Sequence, residues 1–491
     1  MHDVPAVRVR AINDVEVTSD GDYVLYWMIS FRRSQYNYSL QRAVTWAKKL
    51  NKPLVILEAI RCDCPWASDR LHRFVIEGMA DNAECFSKKN VLYYPYLEPA
   101  QGKGKGLLKD LAFRACVVVS DDFPGFFLPR AIAAAASQIH VRFELVDSNG
   151  LLPMRAANKV FARAFDFRRF LQKNLLPHLA DVPIRDPLSH LKTPRLKALP
   201  EKITKRWAMA DPASLLTSPA ALSRFPIDHL VRAVGAVGGS QAAKKALRSF
   251  LKSKLSVYDS ERNQPQKQAT SGLSPYLHFG HISAHQVMEE LAGFVGWTPG
   301  HVAEKANGSS SGWWGASADT ESFLDQLITW RELGYNMCWQ RGDYDQYESL
   351  PDWAQKTLAE HAGDARPHVY SLEQFEAAET HDPLWNAAQR QLIREGCIHN
   401  YLRMLWGKKI LEWSASPREA LDVMIELNNK YALDGRNPNS YSGIFWVLGR
   451  YDRAWGPERP VFGKIRYMTS ANTARKVKVK NYIANYASGV G

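Results

Sequence analysis

The sequence has few cysteines and no long apolar run. Its 491 residues include six cysteines, too few to build a disulfide framework in a chain of this length. Cys62 and Cys64 form a C-x-C pair without the second pair that a zinc site or an iron–sulfur cluster requires. No segment reaches about 18 uncharged apolar residues, and residues 1–13 lack the apolar core of a signal peptide. We therefore expect a protein of the reducing cytosol with no metal site and no membrane segment.

A glycine-rich phosphate-binding fingerprint is also missing. No Gly-x-Gly-x-x-Gly follows the first predicted strand. Gly102, Gly104 and Gly106 alternate with lysines before a predicted helix, but the strand that must precede a phosphate loop is not there. We interpret residues 102–106 as a solvated loop.

Positive charge is what the chain has in excess. It carries 63 Lys and Arg against 50 Asp and Glu, a net charge of +13 with a pI near 9.3. This balance is expected when a partner carries many phosphates. Charge alone does not name a partner, so a basic protein without nucleic acid stays open. The 46% of apolar residues is ample for the buried cores of two or three domains.

Short apolar runs alternate with helix-like stretches in the first part of the chain. This rhythm predicts βαβ units in a doubly wound parallel sheet with right-handed crossovers. The predicted strands are 23–29, 53–60, 91–96, 116–120 and 141–146, and the predicted helices between them are 36–50, 69–89 and 129–140.

Prolines and basic residues replace the periodic pattern at 181–217, and amphipathic helices dominate from Ser218 onward. We predict an α/β domain over 1–150, a linker over 151–204 and a larger all-α domain over 205–491. The Gly- and Ser-rich stretch 307–319 predicts a mobile surface loop.

Several segments of the predicted helical domain have a composition that suits a polar ligand. Residues 270–274 place hydroxyl and backbone N–H groups before a helix predicted to begin near Pro275, which suits a phosphate as well as an ordinary helix cap. Arg403 and Asp434 lie in otherwise apolar or neutral surroundings, so we expect them to pair. Residues 428–451 gather acidic, amide and aromatic side chains, which suits a flat ligand with polar edges.

Together with 322–333 and 399–404, these segments resemble the flavin and lesion pockets of DNA photolyases. The chain is most similar to the class II cyclobutane pyrimidine dimer photolyases, and the resemblance covers most of its length. It implies that the helical domain binds FAD and that reduced FAD, excited by blue light, donates an electron to split the lesion. The cofactor contacts that it implies are Tyr258, Thr270, Ser271, Gly272, Leu273, Ser274, Arg331, Asn400, Arg403, Asn428 and Asp434.

The resemblance also assigns positions around the flavin ring. It implies that the Arg403–Asp434 pair borders the isoalloxazine and that Asn428 lies by flavin N5, where an amide can both donate and accept. A helix C-cap is the alternative role for Asn428.

A lesion inside duplex DNA must be flipped out to reach the flavin, at a cost of a few kcal/mol. The resemblance places Trp330 and Trp446 against the flipped lesion, with Met404 as the floor of the pocket. Stacking of a base on an aromatic side chain contributes about 1–3 kcal/mol, which offsets much of that cost. Packing within a helical core is the alternative for both tryptophans.

One position departs from the family. Most photolyases carry a Glu in the helix that bears the lesion-binding Trp, and the corresponding residue here is Gln326. The amide keeps the shape and the hydrogen-bonding capacity of the carboxyl group but has no titratable proton. We therefore expect this protein to repair the lesion with lower efficiency.

The expected partner is damaged double-stranded DNA, bound by a monomer. The resemblance places Arg262 near the flavin or a lesion phosphate, and Arg466 as a wedge in the space left by the flipped bases. It likens the basic residues of 464–467 and 475–480, among them Arg475, Lys476 and Lys478, to a DNA-contacting hairpin. A solvated basic strand is the alternative for 475–480.

Tryptophans matched to the class II electron relay are Trp385, Trp406 and Trp413. The position that class I enzymes use instead falls near Ile444, which is not aromatic. A packed apolar stripe at helical spacing, including Trp406 and Trp413, is the alternative.

These inferences favour a light-driven carbon–carbon lyase acting on DNA in the cytoplasm, or in the nucleus of a eukaryote. A cryptochrome-like photosensor on the same fold is the second interpretation, with Gln326 as a sign of lost repair. A flavin-free, basic DNA-binding protein is the third. The sequence does not decide whether the α/β domain holds a deazaflavin or folate antenna.

Overall fold

The structure, a computed structural model, describes residues 3–488. The chain divides into two compact units. Unit 1 comprises residues up to 157, 174–248 and 272–299, and unit 2 comprises 158–173, 249–271 and the residues from 300 onward. The segment predicted as a linker is distributed between them, since 151–157 and 174–204 belong to unit 1 and 158–173 to unit 2.

Unit 1 is built on a six-stranded sheet. Its strands are β1 (Val9–Ala11), β2 (Tyr23–Met28), β3 (Leu54–Ile60), β4 (Leu92–Leu97), β5 (Ala115–Asp121) and β6 (Arg142–Val146). Their order is β1-β6-β5-β2-β3-β4, and every pair is parallel except β1 with β6. The predicted doubly wound sheet is confirmed, with the antiparallel edge strand β1 as an addition.

The helices of the first part of the chain are α1 (Tyr38–Leu50), α2 (Asp69–Ser87), α3 (Leu107–Ala112), α4 (Leu128–Ala136), α5 (Ala164–Asn174), α6 (Leu176–Ala180), α7 (Glu201–Arg206), α8 (Ser240–Ser253), α9 (Tyr258–Glu261), α10 (Ser274–His278) and α11 (Ala284–Val295). Those that follow are α12 (Ala318–Leu324), α13 (Arg331–Gln340), α14 (Asp352–Glu360), α15 (Leu372–Glu376), α16 (Pro383–Glu395), α17 (Asn400–Trp413), α18 (Pro417–Tyr431), α19 (Pro438–Val447), α20 (Ser470–Lys476) and α21 (Lys480–Asn485). A π-helix at Asp325–Trp330 joins α12 to α13.

Both faces of the sheet are buried, which explains why its parallel strands read as continuous apolar runs. Alternate residues of β2 enter separate cores, with Leu25 in one and Val24 and Tyr26 in the other. Ile203 of α7 packs into the core that contains Leu25. So does Trp207, the C-cap of α7, which is fully buried. Part of the segment predicted as a linker therefore supplies core residues to unit 1.

The loop at 307–319 differs from its prediction. Trp313 and Trp314 are only 3% and 5% exposed, and their rings meet edge to face at 4.8 Å. The Gly308 N–H donates to Gln172 Oε1 at 2.7 Å, which ties the loop to α5. The two tryptophans therefore depart from a surface loop, because they have a core to enter, whereas Asn307, Ser310, Ser311 and Gly312 are exposed.

Unit 2 is helical, and its central helices pack closely. Gly334 of α13 faces the backbone of α19, where a Cβ would lie 2.8 Å from Pro438 O and 2.9 Å from Asn439 N. A side chain at this position would push the two helices apart. No described helix has both the length and the apolar content needed to span a bilayer.

Candidate active site

An ion pair lies where α17 is close to the turn that follows α18. Arg403 Nη2 donates to Asp434 Oδ1 at 3.2 Å, and both side chains are less than one-fifth exposed. The predicted pairing is present. Partial burial strengthens the Coulomb attraction relative to a surface pair, and the pair leaves neither charge isolated.

Asn428 is buried in the last turn of α18. Its Nδ2 donates to Ser440 Oγ at 2.8 Å and to Asn429 Oδ1 at 3.2 Å, while its Oδ1 lies 3.5 Å from Arg403 Nη1. The C-cap is Ala432, whose N–H donates to the Asn428 carbonyl at 2.9 Å, so the C-cap alternative is wrong. The amide is therefore oriented by α19 on one side and by Arg403 on the other.

A strained turn fixes Asp434. Arg436 has φ of 63°, a left-handed conformation that costs about 1–2 kcal/mol for a residue with a side chain. Its buried guanidinium donates to the carbonyls of Ala432 and Leu433 at 3.0 and 3.2 Å, which stabilises the turn. A Cβ at Gly435 would lie 2.7 Å from the Asn428 carbonyl, so only glycine allows this approach.

Trp330 and Trp446 lie together. Their ring centroids are 4.6 Å apart with an interplanar angle of 16°, so the indoles stack on each other. Trp330 ends the π-helix and Trp446 lies in α19, which Gly334 brings close to α13. Both side chains are half-buried, so the pair is not enclosed in a core. The two rings contact each other and do not form opposite walls of a pocket.

Gln326 lies about one turn before Trp330 in the π-helix and is also half-buried. Its neighbour Asp325 is turned away into a bidentate pair with Arg168, at 2.8 and 3.1 Å. The carboxylate next to Gln326 in the sequence is thus already neutralised. Single π-helical turns are rare in proteins, and those that occur often lie at functional sites.

Three further predicted residues have different environments. Met404 is half-buried on α17 beside Arg403, and Asn400 is exposed at the first position of that helix. Arg331 is 7% exposed, with its guanidinium 4.5 Å from the Tyr335 ring and donating to the Tyr335 hydroxyl at 3.1 Å. The contacts of Arg331 are therefore those of a residue packed within the helices.

Tyr258 is buried against Phe250 and Phe323, with edge-to-face contacts at 5.5 and 5.6 Å. The Arg262 guanidinium lies 5.8 Å from the Tyr258 ring. These contacts hold Arg262 at the start of the stretch that leads to Thr270.

Buried polar atoms in this region fit a bound ligand. Arg262 Nε, Gln266 Nε2 and His399 Nδ1 have no hydrogen-bond partner within residues 3–488. His399 hydrogen-bonds the backbone of Arg262, and burial lowers its pKa to about 4, so its ring is neutral near pH 7. Leaving a buried polar atom unsatisfied costs about 1–3 kcal/mol, so the hydroxyl and phosphate oxygens of a dinucleotide suit this cluster.

The segment predicted to bind phosphate runs from unit 2, with Thr270 and Ser271, into unit 1, with Gly272, Leu273 and Ser274. Helix α10 begins at Ser274 with Pro275 in its first turn, as predicted. Thr270 and Ser271 are half-buried, Leu273 is buried and Gly272 and Ser274 are exposed.

The predicted relay tryptophans form a connected, buried set. Trp385 Nε1 donates to the Trp406 carbonyl at 3.0 Å, and the rings of Trp385 and Trp413 are 6.1 Å apart. All three side chains are at most 2% exposed. Trp413 also meets the exposed His381 at 4.8 Å, so the set reaches from α17 to the surface. Tight packing accompanies this arrangement, as the stripe alternative predicts.

A short loop carries Arg466 and one residue that sequence reasoning missed. The Trp455 N–H donates to the Lys464 carbonyl at 2.9 Å, and the Arg459 N–H donates to that of Gly463 at 3.1 Å. The Trp455 ring is flanked by the guanidinium groups of Arg453, at 4.8 Å, and Arg466, at 5.3 Å. The signal was a tryptophan two residues after an arginine, in Arg453-Ala-Trp455, outside the basic segments 464–467 and 475–480.

The basic segment after this loop is helical. Arg475 and Lys476 close α20, and Lys478 lies between α20 and α21, where its N–H donates to Gln264 Oε1 at 3.2 Å. An extended strand at Arg475 and Lys476 is therefore wrong, since capping by Thr469 starts a helix that includes both residues. The three basic side chains are nonetheless exposed.

The chain is similar to proteins named deoxyribodipyrimidine photo-lyase. The relative from Methanothermobacter thermautotrophicus is 33% identical over 481 residues, covering 98% of both chains. That from Potorous tridactylus is 33% identical, covering 97% of this chain and 83% of the relative, and that from Arabidopsis thaliana is 34% identical, covering 94% and 88%. No family model matches the chain.

A solved structure shares the fold. The class III photolyase from Agrobacterium tumefaciens superposes with a TM-score of 0.67 at 17% identity, over 96% of this chain and 88% of that one. This likeness confirms the predicted fold class. One-third identity over nearly the full length of both chains confirms the family as well, and the protein belongs to the deoxyribodipyrimidine photo-lyase family.

Proposed function

We propose that this protein uses blue light to split cyclobutane pyrimidine dimers in double-stranded DNA, as a monomer with FAD as its cofactor. The observation that carries the proposal is the stacking of Trp330, at the end of the π-helix, on Trp446 of α19. The same α19 contributes Ser440 to the Asn428–Arg403 network. The names of the relatives support the lesion class.

The helical residues supply the binding chemistry for FAD. The orphaned atoms of Arg262, Gln266 and His399 suit its ribose and phosphate oxygens. Arg403, held by Asp434, sets a positive charge beside Asn428, whose amide is already oriented before the ring arrives. When bound and reduced, FAD supplies the electron that light excitation releases.

The lesion side requires an apolar plane and a polar partner. The stacked indoles present flat apolar surface to a flipped pyrimidine dimer, and stacking of this kind is worth about 1–3 kcal/mol per base. Gln326, one turn before Trp330, can donate to or accept from the pyrimidine edges. Met404 projects from α17 as an apolar neighbour of Arg403.

Outside the pocket, exposed basic residues neutralise DNA phosphates. Arg466, Arg475, Lys476 and Lys478 are exposed, and each phosphate that they neutralise releases bound counterions. We propose that Trp455, held between Arg453 and Arg466, stacks on bases beside the gap left by the flipped lesion.

We propose that Trp406, Trp385 and Trp413 carry electrons from the protein surface to the cofactor. The Trp385 indole contacts the Trp413 ring and donates to the backbone carbonyl of Trp406, which brings the three residues together. Ile444 is buried and apolar, so the class I position supplies no alternative.

A light sensor on the same fold is a second candidate, which Gln326 favours because it lacks the proton of the family Glu. A repair assay on two defined lesions separates these functions. We expect blue light to remove a cyclobutane dimer from a duplex and to leave a (6-4) lesion intact. Light that bleaches the flavin without loss of either lesion would favour the sensor. Colourless protein from flavin-replete cells would refute both.

A further inference from the structure

A basic groove lies along α5 in unit 2, within the segment 158–173. Its volume is about 420 Å³, and it is open to solvent. The residues that matter for its chemistry are Lys159, Phe161, Asp166, Arg169, Phe170 and Lys173. Arg169 and Lys173 lie four residues apart, on one face of the helix.

The positive charge of the groove is not compensated. Within residues 3–488, Lys159, Arg169 and Lys173 make no ion pair. The one carboxylate in the lining, Asp166, accepts bidentate hydrogen bonds from Arg163 at 2.8 and 3.1 Å. Three neighbouring cations around a concave surface therefore favour an anionic ligand.

Aromatic rings form part of the same surface. The centroids of Phe161 and Phe170 are 5.1 Å apart, with the rings tilted by 45°. Phe161 is buried and Phe170 is half-buried, and Lys159 Nζ lies 5.3 Å from the Phe161 centroid. The accessible ring of Phe170, supported by Phe161 and beside unpaired cations, suits a ligand with a phosphate and a flat ring, which is the chemistry of a nucleotide.

The groove is tied to the helix that bears Trp330. Arg168 pairs with Asp325, and Asn336 Nδ2 of α13 donates to the Lys159 carbonyl at 3.0 Å. Arg168 faces the π-helix, whereas Arg169 and Lys173 line the groove on an adjacent face of α5. A nucleic-acid strand that reaches the stacked indoles thus has a second basic surface on the same unit.

We propose that this groove binds a nucleotide of the substrate DNA strand outside the flipped lesion. The proposal rests on the proposed function only in taking DNA as the partner. Phosphate contacts of this kind add affinity without reading sequence or damage. The groove should therefore act equally on intact and damaged DNA.

The test compares two triple variants in the dark on an undamaged duplex. The groove variant is Lys159→Gln, Arg169→Gln and Lys173→Gln. The matched control is Lys192→Gln, Arg195→Gln and Lys202→Gln, which removes the same charge from exposed positions of unit 1. We expect the groove variant to lose at least about tenfold in affinity at moderate salt. The slope of log affinity against log salt concentration should become about 2–3 less steep, and both quantities should change little in the control.

The preference for dimer-containing over intact duplex should be unchanged in the groove variant. Equal losses in both triple variants, or an unchanged salt slope in the groove variant, would overturn the proposal. Binding to intact DNA is measured without light, so failure of repair would refute the proposed function and leave this result standing.

Lysine acetylation distinguishes the source of the nucleotide. We expect an undamaged duplex to protect Lys159 and Lys173 of the unsubstituted protein, and millimolar thymidine monophosphate to protect them weakly. Protection by the free nucleotide without protection by the duplex would overturn the assignment to DNA. No protection by either would overturn the groove as a nucleotide site.

Discussion

Gln326 and Asp325 are neighbours with opposite roles. Asp325 is fixed by Arg168 in a pair whose side chains are each 11% exposed, whereas Gln326 lies half-buried beside Trp330. The pair removes the neighbouring carboxylate from the chemistry of the pocket. Of these two neighbours, Gln326 is therefore the one that can hydrogen-bond a lesion.

We predict that Gln326→Glu raises the quantum yield of repair and changes lesion affinity little. A protonated carboxyl group can donate to a dimer that gains negative charge, whereas an amide gives up no proton near neutral pH. The yield of the variant should fall as pH rises through the pKa of the new carboxyl, and that of the natural protein should stay flat. The measurement is the yield of prereduced protein across pH. Identical yields and profiles would show that Gln326 does not limit repair.

Trp446 should control recognition of damage. Trp446→Ala removes one half of the indole stack, so affinity for a dimer-containing duplex should fall about 5- to 150-fold, in line with about 1–3 kcal/mol of stacking. Affinity for intact duplex should barely change. Trp446→Phe, which keeps an aromatic ring, serves as the control. If both duplexes lose affinity equally, Trp446 lies outside the lesion pocket.

At the scale of elements, Lys408 links α17 to α19. Its ammonium donates to the Val447 carbonyl, at the end of the helix that bears Trp446. The side chain is 1% exposed, and burial lowers the pKa of Lys408 to about 7, partly countered by Asp452, while Arg466 lowers it further. The charge is favourable at a helix C-terminus but is costly to bury.

Lys408 should make stability depend on pH. Its folded-state pKa lies below its ordinary value of 10.5, so the unfolded chain binds more protons between about pH 7 and 10.5. The free energy of unfolding should therefore rise with pH across that window, by up to about 1.4 kcal/mol per pH unit from this group. Below about pH 7 the ammonium is charged in both states, so the free-energy cost of burying it is fully present. Urea unfolding from pH 6 to 9 measures the slope, and Lys408→Met should flatten it. The same slope in both proteins would contradict the assignment.

The tryptophan set of α16 and α17 should govern photoreduction. Trp→Phe at Trp385, Trp406 or Trp413 breaks the chain of indoles, so light-driven reduction of oxidised FAD should slow about tenfold or more. Repair by chemically prereduced protein should remain. Trp313→Phe, at an equally buried tryptophan elsewhere in unit 2, controls for lost packing. Normal photoreduction in all three relay variants would refute the relay.

For the whole molecule, local sequence patterns predicted the strands of unit 1 and one ion pair of the site, whereas other features depend on contacts between distant segments. The strands of unit 1 follow from apolar runs between helical stretches, and the Arg403–Asp434 pair follows from two charges in neutral surroundings. The π-helix, the Arg168–Asp325 pair and the burial of Trp313 depend on segments distant in the chain. No local pattern in the sequence could indicate them.

Domain boundaries show the same limit. Residues 158–173 belong to unit 2, although flanking residues on both sides belong to unit 1. Composition marks where regular periodicity stops, but it does not report which core each short segment joins. Trp207 illustrates this, since its basic, proline-rich surroundings gave no sign of a fully buried side chain.

The action spectrum of repair shows whether a flavin bound by this chain drives dimer repair with light. Purified, prereduced protein is mixed with a duplex that carries one cyclobutane thymine dimer, and restored thymines are counted per absorbed photon at each wavelength. We predict that repair follows the absorption of the bound reduced flavin and stops in the dark. Dimer loss in the dark, or no dimer loss at wavelengths that the flavin absorbs, would refute repair driven by the flavin.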